Sequence, residues 1–245
     1  MDVKTAGRTV RIFEIFAEAQ EPLSLSEVSR ALDAPLSSCL YLVRALENRG
    51  YLYAVGNRKH VYPTRKLYDM ACAIAVGESW AERLEPVMLE LRNATKETII
   101  LGKRQGTRVV YLSVLEGSQT IRYSAATGDF KPLYSSAIGK ALMSDWDVAE
   151  RKKMIAKLSL DPVTPTTIVD SNALLQDIEK TAARGYSISR GENVPDVMAI
   201  AKNVWIGDDQ YAISINGPIY RMSLMAEVHC ERLIDILKGV SDRSS

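Results

Sequence analysis

The sequence predicts an α+β protein of two domains: a small N-terminal domain of three helices and a hairpin, and a larger C-terminal domain around an antiparallel sheet. Its 245 residues, 47% hydrophobic and 25% charged, are typical of folded protein and are enough for two ordinary domains. Apolar residues recur at helical spacing through the N-terminal part. Beyond residue 95, aliphatic runs with hairpin turns are flanked by blocks of helix, which indicates an antiparallel sheet rather than a doubly wound parallel one.

The first predicted element is a helix over residues 3–19. Its apolar residues recur three and four positions apart, with others widening the stripe: Ala6, Val10, Ile12, Phe13, Ile15, Phe16 and Ala17. So broad an apolar face predicts a helix that packs against more than one neighbour. Glu21-Pro22 ends this helix.

Two shorter helices are predicted next. The run Ser24-Leu25-Ser26-Glu27 is a capping box, in which Ser24 and Glu27 satisfy each other's free backbone N–H groups at the start of the second helix. Pro35 suits the first turn of a third helix over residues 35–49, and Gly50 suits its C-terminal cap.

The third helix has one apolar and one polar face. Its apolar side consists of Cys39, Leu42, Val43 and Leu46. The opposite side carries short hydroxyls near the N-terminal end, longer polar side chains further on and one leucine at its margin: Ser37, Ser38, Leu40, Tyr41, Arg44 and Asn48. Short hydroxyls at a helix N-terminus can approach phosphates closely, and long polar side chains can reach base edges. The polar face is therefore typical of a DNA-recognition helix.

A basic hairpin follows that helix. Two strands, residues 51–53 and 60–62, enclose the turn 56–59, and its basic residues are placed to lie along phosphates or in the minor groove. Residues 1–66 hold 10 Lys/Arg against 7 Asp/Glu, whereas the rest holds 21 against 23, which is compatible with DNA binding through the first part. We predict a winged helix-turn-helix DNA-binding domain over residues 1–66. The predicted contact residues are Ser24, Ser37, Ser38, Leu40, Tyr41, Arg44, Arg58, Lys59 and His60.

The alternative to DNA binding for this segment is a three-helix subdomain with an ordinary solvent-exposed face. Each helix taken alone fits that alternative. The ordered set of a long helix, a capped short helix, a turn, an amphipathic helix, a glycine and a basic hairpin favours DNA binding.

The remaining chain is predicted to form a helical linker over residues 67–80 and a second domain over residues 81–245. Helices are expected at residues 67–76 and 80–93, and another contains Gly139 and ends at about residue 143. Three more helices are expected at residues 148–158, 172–184 and 222–237. Strands are expected at 97–103, 108–115, 119–124, 186–191, 197–204 and 210–216. Gly207-Asp208-Asp209 joins the last two as a hairpin.

Composition and motifs argue against several other classes of protein. The chain has two histidines, His60 and His229, which leaves no histidine-based metal cluster or catalytic triad, and neither a P-loop nor a GxSxG motif occurs. Three widely spaced cysteines fit a reducing cytosol, and no apolar run reaches the roughly 18–20 residues that cross a bilayer. We expect a cytoplasmic protein with no metal, no cofactor and no membrane partner.

Over essentially its whole length the sequence resembles the IclR family of bacterial transcription regulators. The resemblance rests on motifs in family order and spacing: Ala34-Pro35-Leu36-Ser37-Ser38, Leu46-Glu47-Asn48-Arg49-Gly50-Tyr51-Leu52, Pro132-Leu133-Tyr134-Ser135-Ser136-Ala137-Ile138-Gly139-Lys140-Ala141, Gly185-Tyr186, Glu192-Asn193-Val194-Pro195 and Ser214-Ile215-Asn216-Gly217-Pro218.

The resemblance implies a GAF-like C-terminal domain that binds a small organic acid or an aromatic compound. It also implies dimers or tetramers on a pseudo-palindromic double-stranded operator, and regulation of a catabolic operon. Carried over by position, the effector-binding residues are Ser135, Ser136, Ala137, Ser189, Ala199, Ser214 and Asn216. The loop before the Gly139-containing helix can aim backbone N–H groups at a carboxylate, as helix N-termini do.

The sequence departs from the family pattern at several positions. Tyr41 stands where many relatives carry arginine, so the operator sequence does not transfer. Ser189 stands where an acidic residue can occur, Ala199 where cysteine or another small residue is frequent, and Asn203 where proline is frequent. We therefore expect a roomier and less charged pocket, suited to an aromatic or mid-sized carboxylate or a related neutral ligand.

The sequence leaves two alternatives to a ligand-responsive regulator. The first is an enzyme, for which Ser135-Ser136 near Lys140 suggests a Ser-Lys nucleophile, although the family resemblance explains that run better. The second is an assembly module whose sensor domain has lost its ligand, and the polar residues retained at the pocket positions argue against it.

Overall fold

The computed structural model describes residues 4–57, 59–77, 80–240 and 242–243. The chain forms two compact units, residues 1–78 and residues 79–245. The boundary between them lies within the segment predicted as a helical linker, most of which belongs to the first unit. None of the helices in these described ranges is both long and apolar enough to cross a membrane.

The N-terminal unit contains the predicted three helices and hairpin. Its elements are α1 (Lys4–Ala19), β1 (Leu23–Ser24), α2 (Leu25–Ala31), α3 (Leu36–Asn48), β2 (Leu52–Val55), β3 (His60–Pro63) and α4 (Lys66–Ala75). The two-residue strand β1 was not predicted, because two residues carry no periodicity. It pairs with β3 and extends the hairpin to a three-stranded antiparallel sheet of order β1-β3-β2.

The core of this unit lies between α1, α2, α3 and the small sheet. It consists of Ile12, Ile15, Phe16, Leu23, Val28, Val43, Leu46, Leu52 and Val61. Only part of the broad stripe predicted on α1 is buried. Ala6, Val10 and Ala17 are exposed within the unit, with Val10 60% exposed, because α2 and β3 cover one side of the helix.

The C-terminal unit is an α+β domain, as predicted, with one mostly antiparallel sheet. Its helices are α5 (Ala81–Thr95), α6 (Ala137–Ser144), α7 (Val148–Ile155), α8 (Ser171–Arg184), α9 (Ile219–Leu224) and α10 (Ala226–Leu237). Its strands are β4 (Thr98–Gln105), β5 (Arg108–Leu115), β6 (Phe130–Pro132), β7 (Ser187–Arg190), β8 (Val197–Gly207), β9 (Asp209–Pro218) and β10 (Asp242–Arg243). The sheet order is β10-β8-β9-β4-β5-β6, with β7 also on β8, and only β10 runs parallel to its neighbour.

Two predictions for this unit were wrong. The segment 119–124 is not a strand, because β6 occupies the edge of β5 and the segment is instead held by side-chain contacts, among them the hydroxyl of Thr98 on the carbonyl of Tyr123 at 2.5 Å. The predicted helix 222–237 is two helices, because the backbone leaves helical geometry at Met225 (φ −109°, ψ 10°).

Helices cover both faces of this sheet. The alternation of β9 divides its side chains, so that Ile213 and Ile215 face a core with α5 and α10, whereas Ala212 faces a core with α6 and α8. Small residues under α6 let the helix lie close to the strands; a methyl group on Gly102 would sit 3.1 Å from the Ile138 side chain. Because α6 lies so close to the sheet, its N-terminal end is next to polar residues of the strands.

Candidate functional site

The polar face of α3 is exposed and its opposite face is buried. Cys39, Val43 and Leu46 are buried, as predicted, whereas Tyr41 is 74% exposed and Arg44 is also exposed. Ser37 is exposed as well, and Ser38 and Leu40 are half-buried. The face thus offers hydroxyls at its N-terminal end and longer polar groups beyond, which suits the groove and backbone of DNA.

The small sheet brings the start of α2 next to the hairpin that we predicted as a wing. Ser24 on β1 lies opposite His60 on β3. The hydroxyl of Ser24 accepts a hydrogen bond from the Glu27 amide at 3.3 Å and donates one to the Glu27 carboxylate at 2.7 Å, so the predicted capping box is present. The Ser24 backbone N–H, which donates to the Glu27 carboxylate at 2.7 Å, and then the Ser24 hydroxyl lower the pKa of Glu27. Lys59 is exposed at the turn and His60 is half-buried, whereas Arg58 lies outside the described residues.

A cavity in the C-terminal unit lies at the N-terminal end of α6. Together with the open solvent at its mouth, it has about 370 Å³ of space free of protein atoms. Six of the seven predicted effector-binding residues line it: Ser136, Ala137, Ser189, Ala199, Ser214 and Asn216. The seventh, Ser135, lies directly behind the wall, where its hydroxyl accepts from the Asn193 amide at 2.9 Å and its carbonyl accepts from the Ser189 hydroxyl at 3.0 Å.

Strand register explains why residues far apart in sequence meet there. Ser189 of β7 lies opposite Ala199 of β8, which lies opposite Asn216 of β9. Residues paired directly across neighbouring strands point to the same face of a sheet. The three side chains therefore form one row across the cavity floor, and Ser214 lies two positions from Asn216 on the same face.

The end of α6 that borders the cavity begins at a capped turn. Ser136 accepts a hydrogen bond from the Gly139 amide at 3.0 Å. A methyl group on Gly139 would lie 2.0 Å from the Leu133 carbonyl oxygen, so only glycine lets the preceding loop fold so closely over the helix. In the part of the chain that the structure describes, no group accepts the N–H of Ala137 or Ile138. These two N–H groups and the helix dipole favour an anion at this end.

On the cavity floor, Asn216 and Ser214 share one hydrogen-bond network. The Asn216 amide nitrogen donates to the Ser214 hydroxyl at 2.8 Å and to the Thr98 and Ser214 carbonyls at 3.2 Å. Within the described residues, the Asn216 carbonyl oxygen accepts no hydrogen bond and the Ser214 hydroxyl donates none. The floor therefore keeps one acceptor and one donor for a bound molecule.

Sequence reasoning missed half of the cavity lining: Tyr111, Tyr123, Ile138, Asn193, Val194 and Val197. Asn193 and Val194 belong to a run that carried the family resemblance, so a signal for them existed. Tyr123 comes from the segment wrongly predicted as a strand, and its contribution is fixed by tertiary packing alone. Burial raises the pKa of both Tyr111 and Tyr123, so both hydroxyls are neutral at pH 7.

The cavity lining is neutral, and the nearest buried charges are fully engaged with one another. No charged side chain is among the described residues that line the cavity. Lys140, one turn further along α6 and wholly buried, contacts the carboxylates of Glu192 at 2.6 Å and Asp177 at 2.8 Å. Burial raises the pKa of Glu192, and the Asp177 charge adds to this against the opposing effect of Lys140. Because Lys140 serves two carboxylates, it does not act as the base for a serine nucleophile.

Two family models of bacterial regulators match most of the chain. The family model described as "Bacterial transcriptional regulator IclR C-terminal" matches residues 76–244, and the one described as "IclR helix-turn-helix domain" matches residues 5–56. The chain is 30% identical over 225 residues to the HTH-type transcriptional regulator BhcR of Paracoccus denitrificans, an alignment that covers 90% of this chain and 80% of that protein.

Solved structures share the fold. The Thermotoga maritima IclR matches with a TM-score of 0.77 at 22% identity, over 98% of this chain and all of that one. An IclR homologue from Microbacterium hydrocarbonoxydans, solved in complex with 4-hydroxybenzoate, matches with a TM-score of 0.74 at 20% identity, over 97% of each chain.

Proposed function

Because the chain belongs to the IclR family of bacterial transcription regulators, we propose that α3 and the β2–β3 hairpin bind operator DNA and that the cavity beside α6 binds the effector. The family consists of DNA-binding transcription regulators that respond to small molecules, so this chain is a regulator and not an enzyme. We propose that the protein is cytoplasmic and that it regulates transcription of a catabolic operon.

The observation that carries the effector site is a cavity with unused hydrogen-bonding groups and no charge. The free N–H groups at the start of α6 and the hydroxyls of Ser136 and Ser214 are suited to a carboxylate. The 4-hydroxybenzoate complex of the Microbacterium homologue supports an aromatic acid as the effector class.

We propose that DNA binding uses Ser24, Ser37, Ser38, Leu40, Tyr41, Arg44, Arg58, Lys59 and His60, on a pseudo-palindromic operator bound by a homodimer or tetramer. The exposed apolar strip of α1, with Val10 at its centre, supports pairing of two N-terminal units. Paired units would place two copies of α3 in successive major grooves, about 34–36 Å apart.

The first test is binding of the full-length protein to fluorescent DNA from upstream of its own gene, with unrelated DNA as competitor. Arg44→Ala should weaken operator binding by tenfold or more, since an arginine that contacts DNA contributes roughly 1–3 kcal/mol. Lys152→Ala, an exposed cation on α7, is the matched control and should change nothing. Equal loss in both variants would mean that net charge, not α3, drives binding.

The second test uses the same assay with aromatic and aliphatic acids. A ligand should shift operator affinity and raise the melting temperature in proportion to RT ln(1 + [L]/Kd). Replacing Ser135 and Ser214 by leucine should abolish the ligand effect while operator binding is retained. A wild-type protein that binds operator but gains no stability from any acid would instead be the ligand-free assembly module.

A further inference from the structure

A second cleft lies in the C-terminal unit, at the opposite end of α6 from the effector cavity. It has about 560 Å³ of water-accessible space, which is within the range of small-molecule sites. Its aromatic and cationic lining consists of Lys103, Arg104, Trp146, Lys153, Lys157 and Trp205. Among the residues that the structure describes, none lines both the cleft and the effector cavity. Because α6 is eight residues long, about 12 Å of helix separates the two.

Both tryptophans of the cleft are fixed by hydrogen bonds from their indole N–H groups. Trp146 donates to the side-chain oxygen of Gln210 at 3.0 Å, and Trp205 donates to the Asp145 carboxylate at 2.8 Å. Gln210 in turn donates to the Leu142 carbonyl in the last turn of α6 at 3.0 Å. Because the protein itself uses the N–H groups, the rings offer the cleft aromatic surface. Such surface stacks with planar rings such as nucleobases.

Three cations of the cleft form no ion pair within the described residues: Arg104, Lys153 and Lys157. Arg104 lies over the Trp146 ring, with its guanidinium carbon 5.3 Å from the ring centroid. Lys153 and Lys157 are four positions apart at the end of α7, where residues at this spacing are neighbours. Like charges so placed repel each other until an anion neutralises them. The cations therefore favour a phosphate group, which is a dianion that lysine binds as a point charge.

Two carboxylates of the cleft are also without an ion-pair partner in the described part of the chain. Glu150 lies one turn before Lys153 on α7, and Asp208 lies in the turn between β8 and β9. Lys103, by contrast, is paired with Asp209 at 2.5 Å. A carboxylate accepts hydrogen bonds from hydroxyl groups, as acidic residues do from the ribose in dinucleotide sites. The cleft thus combines aromatic surface, unpaired cations and acceptors for hydroxyl groups.

We propose that this cleft is a second ligand site and that its ligand is a nucleoside monophosphate. The base stacks on the indole surface of Trp205, and the phosphate lies between Lys153 and Lys157. The sugar hydroxyls donate to Glu150 or Asp208. The protein then has a second small-molecule input, on the same domain as the proposed effector site and independent of it.

Calorimetric titration of the full-length protein tests the phosphate part of this proposal. The probes are AMP, GMP, CMP and UMP, each compared with its nucleoside. At least one nucleotide should bind about tenfold more tightly than its nucleoside, the effect of a charge-assisted hydrogen bond. Lys153→Ala and Lys157→Ala should each remove most of that difference and leave nucleoside binding unchanged. Lys152→Ala is the matched control, because Lys152 is an exposed lysine of the same helix that does not line the cleft.

Ribose 5-phosphate, which has no base, tests the aromatic part. It should bind about tenfold more weakly than the best nucleotide, the effect of one stacked base. Trp205→Leu should remove this difference and leave ribose 5-phosphate binding unchanged. Trp80→Leu is the control, since Trp80 packs against the core on the α5 side of the sheet and does not line the cleft.

The outcomes do not depend on the effector site, because the titrations use neither operator DNA nor an acid. Saturable nucleotide binding that is lost in the cleft variants and kept in Lys152→Ala and Trp80→Leu supports the proposal. Three results would overturn it. The first is no saturable binding of any of the four nucleotides, and the second is an equal loss in Lys152→Ala, which indicates attraction by net charge. The third is ribose 5-phosphate binding as tight as nucleotide binding, which indicates an anion site without base recognition.

Discussion

Two groups of buried polar residues lie one turn apart along α6, and they differ in charge and in use. At the start of the helix, the cavity group around Ser136, Ser214 and Asn216 is neutral and keeps hydrogen-bonding capacity unspent. One turn later, Lys140 is wholly buried between the carboxylates of Glu192 and Asp177 and does not line the cavity.

The difference indicates separate roles for the two groups. Burying an unpaired charge costs several kcal/mol, so charges in the interior are retained only where the protein itself pairs them. Burying a neutral hydroxyl that has no hydrogen-bond partner until a ligand binds costs much less. The charged group thus joins α6, α8 and the loop before β8 within the apoprotein, whereas the neutral group contributes little until a ligand arrives.

The largest effect should come from removing the buried cation. Lys140→Met leaves the buried Glu192 carboxylate and the half-buried Asp177 carboxylate without a cation, and we expect it to lower the free energy of unfolding by about 3–5 kcal/mol. Urea unfolding of the full-length protein measures this. A triple variant that also carries Asp177→Asn and Glu192→Gln should recover most of the loss, because no buried charge remains. A Lys140→Met protein as stable as wild type would mean that the cluster is hydrated and contributes no such pairing.

The contrast between the two groups also explains what the sequence could predict. Repeating patterns predicted the helices, the hairpin and the α+β class, because periodicity is local. The motif at Ser135-Ser136-Ala137 marked the start of α6, and the residues on β7, β8 and β9 followed by family position. The strand register then brought them together, as expected for paired strands.

The parts that were missed depend on tertiary packing. Tyr123 lies in the segment 119–124, which was predicted as a strand, yet a single edge of β5 was available and β6 took it. The two-residue strand β1 exists only because β3 is beside it. The partners of Lys140 are 37 and 52 residues away in sequence, and nothing local in the chain points to them.

The second-largest effect on stability should come from a substitution that displaces both the cavity group and the charged group. Gly139 lies between them on α6, where a methyl group would be forced against the Leu133 backbone carbonyl. Gly139→Ala should therefore destabilise the protein by about 2–3 kcal/mol and also weaken effector binding, since the loop over the cavity must shift. Gly239→Ala is the control, because a methyl group there meets nothing within 4 Å. Equal stability of the two variants would show that the loop relaxes without strain.

A smaller effect on stability is expected from the neutral group. Ser214→Ala removes one acceptor of the Asn216 amide, which keeps two backbone carbonyls, so the stability loss should be near 1 kcal/mol. Effector affinity should fall about tenfold, the reverse of the pattern expected for the charged cluster. Ser144→Ala, at the other end of α6, loses one hydrogen bond to the Ala141 carbonyl and should cost similar stability without an effect on the ligand. Unchanged ligand affinity in Ser214→Ala would remove this residue from the effector site.

The smallest effect is a change in the slope of stability with pH. Burial raises the pKa of Glu192 above its ordinary value of 4.5, so the folded state binds a proton that the unfolded state has released. The contribution of Glu192 to folding stability therefore falls as pH rises from 4.5 through the folded pKa of Glu192, and it is largest below that window. Glu192→Gln cannot lose a proton, so its stability relative to wild type should increase across this window. Carboxyl groups with lowered pKa, such as Asp209, give the opposite slope in both proteins and cancel in the comparison. If unfolding measured from pH 4 to 8 gives a constant difference in stability between the two proteins, Glu192 has its ordinary pKa. Another group then neutralises the excess negative charge of the cluster.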